Sequence, residues 1–252
     1  MTGTETLRSL AEDAAAYLPE GPGSRRIVDE RYVAEIGAEP SPGHNVVSRL
    51  RLGDDVEATV REVRQHYLDA GRRASTWEVA TGSTPDDLAE RLLALGMTPD
   101  DPPTMLALAC TTDPASATSG VAVEQVETDE QFEDVRRIFE EGDGWSPGDA
   151  WLRGPGSVTR FLARIDGEAV ATADISWLDH PDGVFLGGAL TVPRARGRGA
   201  YRALVHARWR AARDAGRSVL VTQSEPMSQP ILARLGFEAV GSIDVFVDRF
   251  GP

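Results

Sequence analysis

The nine residues Arg194–Arg202 read R-A-R-G-R-G-A-Y-R, and their types suit one task, the holding of an anion. Arg194, Arg196, Arg198 and Arg202 bring charge-assisted donors, and Gly197 and Gly199 let a ligand approach the main chain closely. The flanking elements that must position them are legible. The apolar run Val184–Val192 stops at Pro193, which lacks the N–H that a central strand needs. After the loop, Tyr201, Leu204, Val205, Trp209 and Ala212 recur at three- and four-residue spacings, which predicts a helix from about Ala200 to Ala215 with Gly216 at its C′ position. The first amides of a helix have no intrahelical acceptor and carry the positive end of its dipole. Strand, Gly/Arg loop and helix therefore predict a site for a phosphorylated ligand; the alternative is a solvated arginine-rich loop on an ordinary αβ unit. A G-x-x-x-x-G-K-[ST] loop is excluded because the chain has no lysine, and G-x-G-x-x-G is absent as well. A short strand, Ser218–Thr222, and a second, shorter helix ending at Gly236 follow.

V-P-x-x-R-G-R-G after a strand, then a helix, a strand and a second helix closing on L-G-F, resembles the GNAT superfamily of N-acetyltransferases. The resemblance covers about residues 121–252 and is most specific at the loop. It implies a mixed-sheet α/β GNAT fold with acetyl-CoA as acyl donor; no metal is expected, because no His/Asp/Glu spacing suggests one. It also implies that Leu190, Thr191 and Val192 meet the pantetheine arm, and that Arg196, Gly197, Arg198, Gly199, Ala200 and Tyr201 meet the pyrophosphate. Two departures stand out. Tyr201 makes the loop more crowded than the family pattern, and Leu232 stands where many members carry a tyrosine that protonates the departing CoA thiolate.

Acyl transfer from a thioester to an amine needs a neutral amine, a donor to the developing oxyanion and a proton for the thiolate. The oxyanion donor is expected to be the main-chain N–H of Thr191 or Val192. Two carboxylates are candidates for drawing the proton through water. Asp174 shares the polar face of its strand with Thr172 and Ser176, and otherwise reads as a solvated edge carboxylate. Glu225 follows the strand after the loop helix, and otherwise reads as a cap for the next helix. Ser228 is a candidate donor to the thiolate in place of the missing tyrosine, with a helix N-cap as its other reading. Trp145 and Trp151 lie among glycines and prolines where the family shapes its acceptor pocket; they suit stacking on a cationic acceptor or plugging the core.

Composition narrows the partners. A formal net charge of −14 over 252 residues disfavours nucleic acid and anionic membrane and favours cationic small molecules, with solubility as its other reading. No long apolar span occurs and Met1–Arg8 is polar, so a cytoplasmic setting is expected. Cys110 is the one cysteine, which leaves no intrachain disulfide and no cysteine metal cluster.

The chain also repeats itself. Asp69-Ala70-Gly71-Arg72 matches Asp214-Ala215-Gly216-Arg217, and each is followed by a strand, a helix and Leu-Gly plus an apolar residue. A helix is expected over Val56–Ala70. Another is expected to open on Ser83-Thr84-Pro85-Asp86-Asp87 as cap and first turn. The linker is Asp113–Gly120, so the predicted domains are 1–112, a degenerate GNAT-like copy, and 121–252, the GNAT domain. The loop of the first copy, Leu52-Gly53-Asp54-Asp55, is acidic, and only the second copy is expected to hold CoA. The second begins with a strand, then a capping box at Thr128–Gln131, an irregular stretch over Gly142–Ser157, and a hairpin turning at Asp166-Gly167. These features predict an acyl-CoA-dependent N-acetyltransferase acting on a primary amine of a small molecule or peptide. A non-catalytic acyl-CoA-binding sensor or partner module is the rival.

Overall fold

The structure, a computed structural model, describes residues 3–21, 23–38, 40–114, 120–154 and 156–251; most of the expected linker, 115–119, lies outside them. In chain order the elements are α1 (Thr4–Glu12), β1 (Arg25–Val28), β2 (Val33–Ile36), β3 (Asn45–Ser48), α2 (Val56–Asp69), β4 (Ala74–Ala80), α3 (Leu88–Ala94) and β5 (Thr98–Cys110). Then follow β6 (Ala122–Gln125), α4 (Asp129–Asp143), α5 (Asp149–Arg153), β7 (Val158–Ile165), β8 (Glu168–Trp177) and β9 (Gly183–Thr191). The chain ends with α6 (Ala200–Asp214), β10 (Val219–Ser224), α7 (Gln229–Arg234) and β11 (Glu238–Arg249). It forms two compact units, one of residues 1–108, 223–229 and 239–252, the other of residues 109–222 and 230–238.

In the first unit the strand order is β1-β2-β3-β4-β11-β5. β3 and β4 run parallel, with α2 as the crossover that parallel neighbours need. The stripe expected on α2 is buried: Val56, Val60, Val63 and Tyr67 join Trp77, Leu88, Leu92, Phe246 and Phe250 in one core. The chain's last strand is part of this unit. β11 pairs antiparallel with β4 from Ile243–Ala80 to Arg249–Ala74, and the expected division at 113–120 and the compact units part company over residues 223–229, which hold Glu225 and Ser228, and over 239–252. The pairing is pinned by Asp248, which is fully buried and takes two bonds from Arg64, 2.8 Å from Nε and 2.7 Å from Nη2. The predicted helix start at Ser83 is corrected. α3 begins at Leu88, and the Ser83 hydroxyl instead accepts from the Ala80 amide, closing the turn after β4.

In the second unit the order is β10-β9-β8-β7-β6, antiparallel except for β9–β10. The capping box forms as expected, with Gln131 N–H donating to Thr128 Oγ1 and the Thr128 amide to Gln131 Oε1. Asp166 and Gly167, at φ 53° and 83°, turn β7 into β8; a two-residue turn of that hand fits the strand twist. The stretch expected to be irregular is partly helical, because α4 runs on to Asp143 and α5 holds Trp151. β8 is an interior strand between β7 and β9, which makes its polar residues candidates for buried contacts rather than solvent. Among the described residues no helix is long and apolar enough to cross a membrane.

Candidate active site

The Gly/Arg loop is built locally. β9 gives way at Val192 to a tight turn over Pro193–Ala195, with the Ala195 amide donating to the Val192 carbonyl. Gly197 and Gly199 then adopt φ 77° and 90°, a region that costs an L side chain about 1–2 kcal/mol, so glycine is favoured at both. The first bond within α6 runs from the Ala203 amide to the Gly199 carbonyl, so the amides of Ala200, Tyr201 and Arg202 face out of the helix end. Gly199 is the N-cap and has no side chain to accept them, and a Cβ at Gly197 would meet nothing within 4 Å. In the first unit, by contrast, Asp55 caps α2 by accepting from the Ala58 amide at 3.0 Å. The arginines divide. Arg194 is tied to Glu141 and Glu168, while Arg196 donates to the Thr191 carbonyl and Arg198 to Asp166, both exposed.

The strand leading into the loop carries the second feature. The parallel register of β9 with β10 covers Gly183–Phe185 and Val219–Val221, and Thr222 Oγ1 donates to the Leu186 carbonyl. Residues 187–191 lie beyond that paired stretch. On the other side, the register with β8 shifts by one. Asp174 opposes Gly187 but Thr172 opposes Leu190, leaving Gly188 and Ala189 against Ala173. This is a bulge with Gly188 at φ 58°. The Val192 amide donates to the Val170 carbonyl at 3.0 Å, so of the two expected oxyanion donors only Thr191 has its N–H on the edge away from β8. Leu190 and Thr191 are half-buried and Val192 fully buried, and Leu190 packs against Gly142 of α4, where a Cβ would come within 3.0 Å of its Cδ2.

Asp174 is not a solvated carboxylate. It is 7% exposed, and Arg160 holds both its oxygens, Nε to Oδ1 at 2.7 Å and Nη2 to Oδ2 at 3.0 Å. Burial pushes its carboxyl above the usual range, and Arg160, then Arg208, pull it back. Arg208, 1% exposed on α6, donates from Nη1 to the Asp174 carbonyl and from Nε to the Leu204 carbonyl. Tyr201 reaches the same arginine; burial raises its phenol pKa and Arg208 opposes the rise. Trp145 and Trp151 form an edge-to-face trio with Phe139, at centroid distances of 4.9, 5.1 and 5.5 Å. Trp151 already stacks on a cation of this chain, the Arg160 guanidinium 4.1 Å away. Glu225 is exposed; its carbonyl accepts from Ser228, whose hydroxyl also lies 2.8 Å from that of Ser224. Leu232 is buried. Sequence reasoning missed Arg160, Arg208 and the bulge. The Gly187-Gly188 pair inside a strand was the available signal for the last.

In the second unit a mixed sheet carries a bulged strand that runs into a glycine loop at a helix N-terminus without a side-chain cap. Residues 124–237 match the family model of the acetyltransferase (GNAT) family. The fold agrees along the whole chain. A GCN5-related N-acetyltransferase from Kribbella flavida is 18% identical, with a TM-score of 0.73 over 98% of this chain and 96% of that one. A tandem GNAT protein from the clavulanic acid biosynthesis pathway is 15% identical, with a TM-score of 0.61 over 98% and 94%. A GCN5-related N-acetyltransferase from Sphaerobacter thermophilus is 14% identical, with a TM-score of 0.59 over 89% and 83%. None of the curated proteins matches.

Proposed function

We propose that this protein moves an acetyl group from acetyl-CoA to a primary amine of a small molecule or peptide, using one CoA site in residues 121–252. The observation that carries the reading is the contrast between two helix ends. Gly199 leaves the N-terminus of α6 open beside Gly197, whereas Asp55 fills that of α2 with a carboxylate. Pyrophosphate suits the first and is repelled by the second. In this reading Arg196, Gly197, Arg198, Gly199, Ala200 and Tyr201 receive the pyrophosphate, and Leu190, Thr191 and Val192 border the pantetheine arm. The Thr191 N–H donates to the thioester oxygen as charge develops. The domain 1–112 is then a GNAT-like copy without a CoA site, and a cytoplasmic setting belongs to the same reading.

The amine attacks directly, so no side-chain nucleophile is required. Glu225 is exposed and able to take the amine proton through water. Asp174 would have to give up Arg160 to do so. Ser228 stands in for the tyrosine as the donor to the departing thiolate. Trp145 and Trp151 border the acceptor space as a rigid aromatic wall. The second reading, an acyl-CoA-binding sensor or partner module, is favoured by buried Leu232, which has no proton to give. Release of free CoA thiol from acetyl-CoA in the presence of a pooled amine library separates the two. Acceptor-dependent thiol release supports the enzyme, and tight acetyl-CoA binding without it supports the module.

A further inference from the structure

The buried arginines and the bulge are parts of one device. Arg160 on β7, Asp174 on β8 and Gly187 on β9 are cross-strand partners in a row. The Asp174 side chain is gripped by Arg160, and its main-chain carbonyl by Arg208 from α6. Held at both ends, the carboxylate lies directly under the bulge. A Cβ added to Gly188 would come within 2.6 Å of Asp174 Oδ2 and 2.9 Å of its Cγ, a separation that real side chains do not tolerate. Gly188 therefore rests its α-carbon on a fixed anion, and its φ of 58° is the conformation that this close approach allows. Along an antiparallel strand, N–H groups alternate between its two edges. Val192 donates towards β8, so Thr191 faces the other edge, as do alternate residues up to the bulge. The extra residue at 188–189 sets where that alternation starts. Gly188 and Ala189 are themselves exposed.

We propose that Asp174 is a positioning residue: locked between Arg160 and Arg208, it fixes the bulge at Gly188 and so aims the main-chain N–H groups of β9 at the acetyl carbonyl of the bound thioester. The role rests on the acetyl-CoA reading above and replaces a base role for Asp174. Arg208 ties the device to α6, the helix that follows the loop, by its bonds to the Asp174 and Leu204 carbonyls. Preorganised donors are effective because they need no reorientation as charge develops.

The test reads the carbonyl directly and needs no known acceptor. Acetyl-CoA labelled with carbon-13 at the acetyl carbonyl is bound to the full chain, and its C=O stretch is recorded by infrared difference spectroscopy beside calorimetric affinity and thermal unfolding. The wild type is expected to lower the stretch relative to free acetyl-CoA. Gly188→Ala, pressing on Asp174, is expected to lose most of that shift while binding acetyl-CoA within about threefold of wild type, because the loop is untouched. Asp174→Asn keeps the volume but gives up one Arg160 contact. It is expected to lose part of the shift and, in any acceptor assay, to keep the acidic limb of the pH–rate profile. A full shift in folded Gly188→Ala overturns the proposal. If that variant does not fold, a full shift in Asp174→Asn overturns it equally. Loss of the acidic limb in Asp174→Asn with the shift intact overturns it in favour of a base. Failure of the wild type to bind acetyl-CoA at all shows in the calorimetry and removes the underlying reading instead.

Discussion

Replacing Gly197 by aspartate is the sharpest perturbation of the anion loop. A Cβ there meets nothing within 4 Å, so no collision inside the protein contributes. Two costs remain. The φ of 77° penalises any L side chain by about 1–2 kcal/mol, which acts on stability. The new carboxylate also faces pyrophosphate. Two like charges about 4 Å apart repel by about 1 kcal/mol in bulk water and about 4 kcal/mol at an effective dielectric of 20. Gly197 is exposed, so the lower part of that range applies, about 1–2 kcal/mol, or about 5–30-fold in Kd. Gly197→Ala carries the backbone cost without the charge and is the matched control. Calorimetry with CoA at low salt is expected to find the aspartate variant weaker than the alanine variant by that factor. The gap should narrow at 1 M salt, where the Debye length falls to about 3 Å. Equal affinities of the two variants at low salt, both folded, would refute the placement of pyrophosphate at this loop.

CoA is expected to bind once per chain, because Asp55 occupies the helix end in the first unit; two equivalent sites in a calorimetric titration would sink the degenerate-copy reading. Ser228→Ala is expected to slow turnover of a good amine by about tenfold or more while acetyl-CoA binding stays near normal, and equal turnover would remove Ser228 from the mechanism. Glu78 lies near Asp13 and Glu35, and burial, then those two charges, raise its carboxyl from 4.5 to about 7. The folded state keeps a proton that the unfolded chain loses, so this contribution is complete below about pH 4.5 and lost as pH rises through about 7. Glu78→Gln cannot ionise. Its melting temperature relative to wild type is expected to climb from pH 4 to pH 8, and a constant offset across that range would contradict the assignment.

What the sequence by itself determined is what neighbouring residues decide among themselves. Pro193 ends a strand because it has no N–H, Gly197 and Gly199 are where the backbone turns left-handed, and Thr128 with Gln131 caps a helix. Asp166-Gly167 closes a hairpin, and three- and four-residue spacing reveals α2 and α6. The Gly/Arg loop is assembled from such local rules, so it was legible, and with it the family resemblance. The tertiary structure decided everything that depends on partners far away in the chain. Asp174 looked solvent-facing from its strand pattern, but whether a strand is an edge is settled by which strands flank it, and here β7 and β9 bury it against Arg160. Arg208 reaches it from 34 residues away. The last strand reads as the end of the second copy, yet β11 belongs to the first unit, held there by an ion pair between Arg64 and Asp248, 184 residues apart. Alternation along a strand shows two faces without saying what covers either, and a charge in the sequence carries no sign of the opposite charge that will meet it. Those are properties of the packed chain, because only burial removes the water that would otherwise make one partner as good as another.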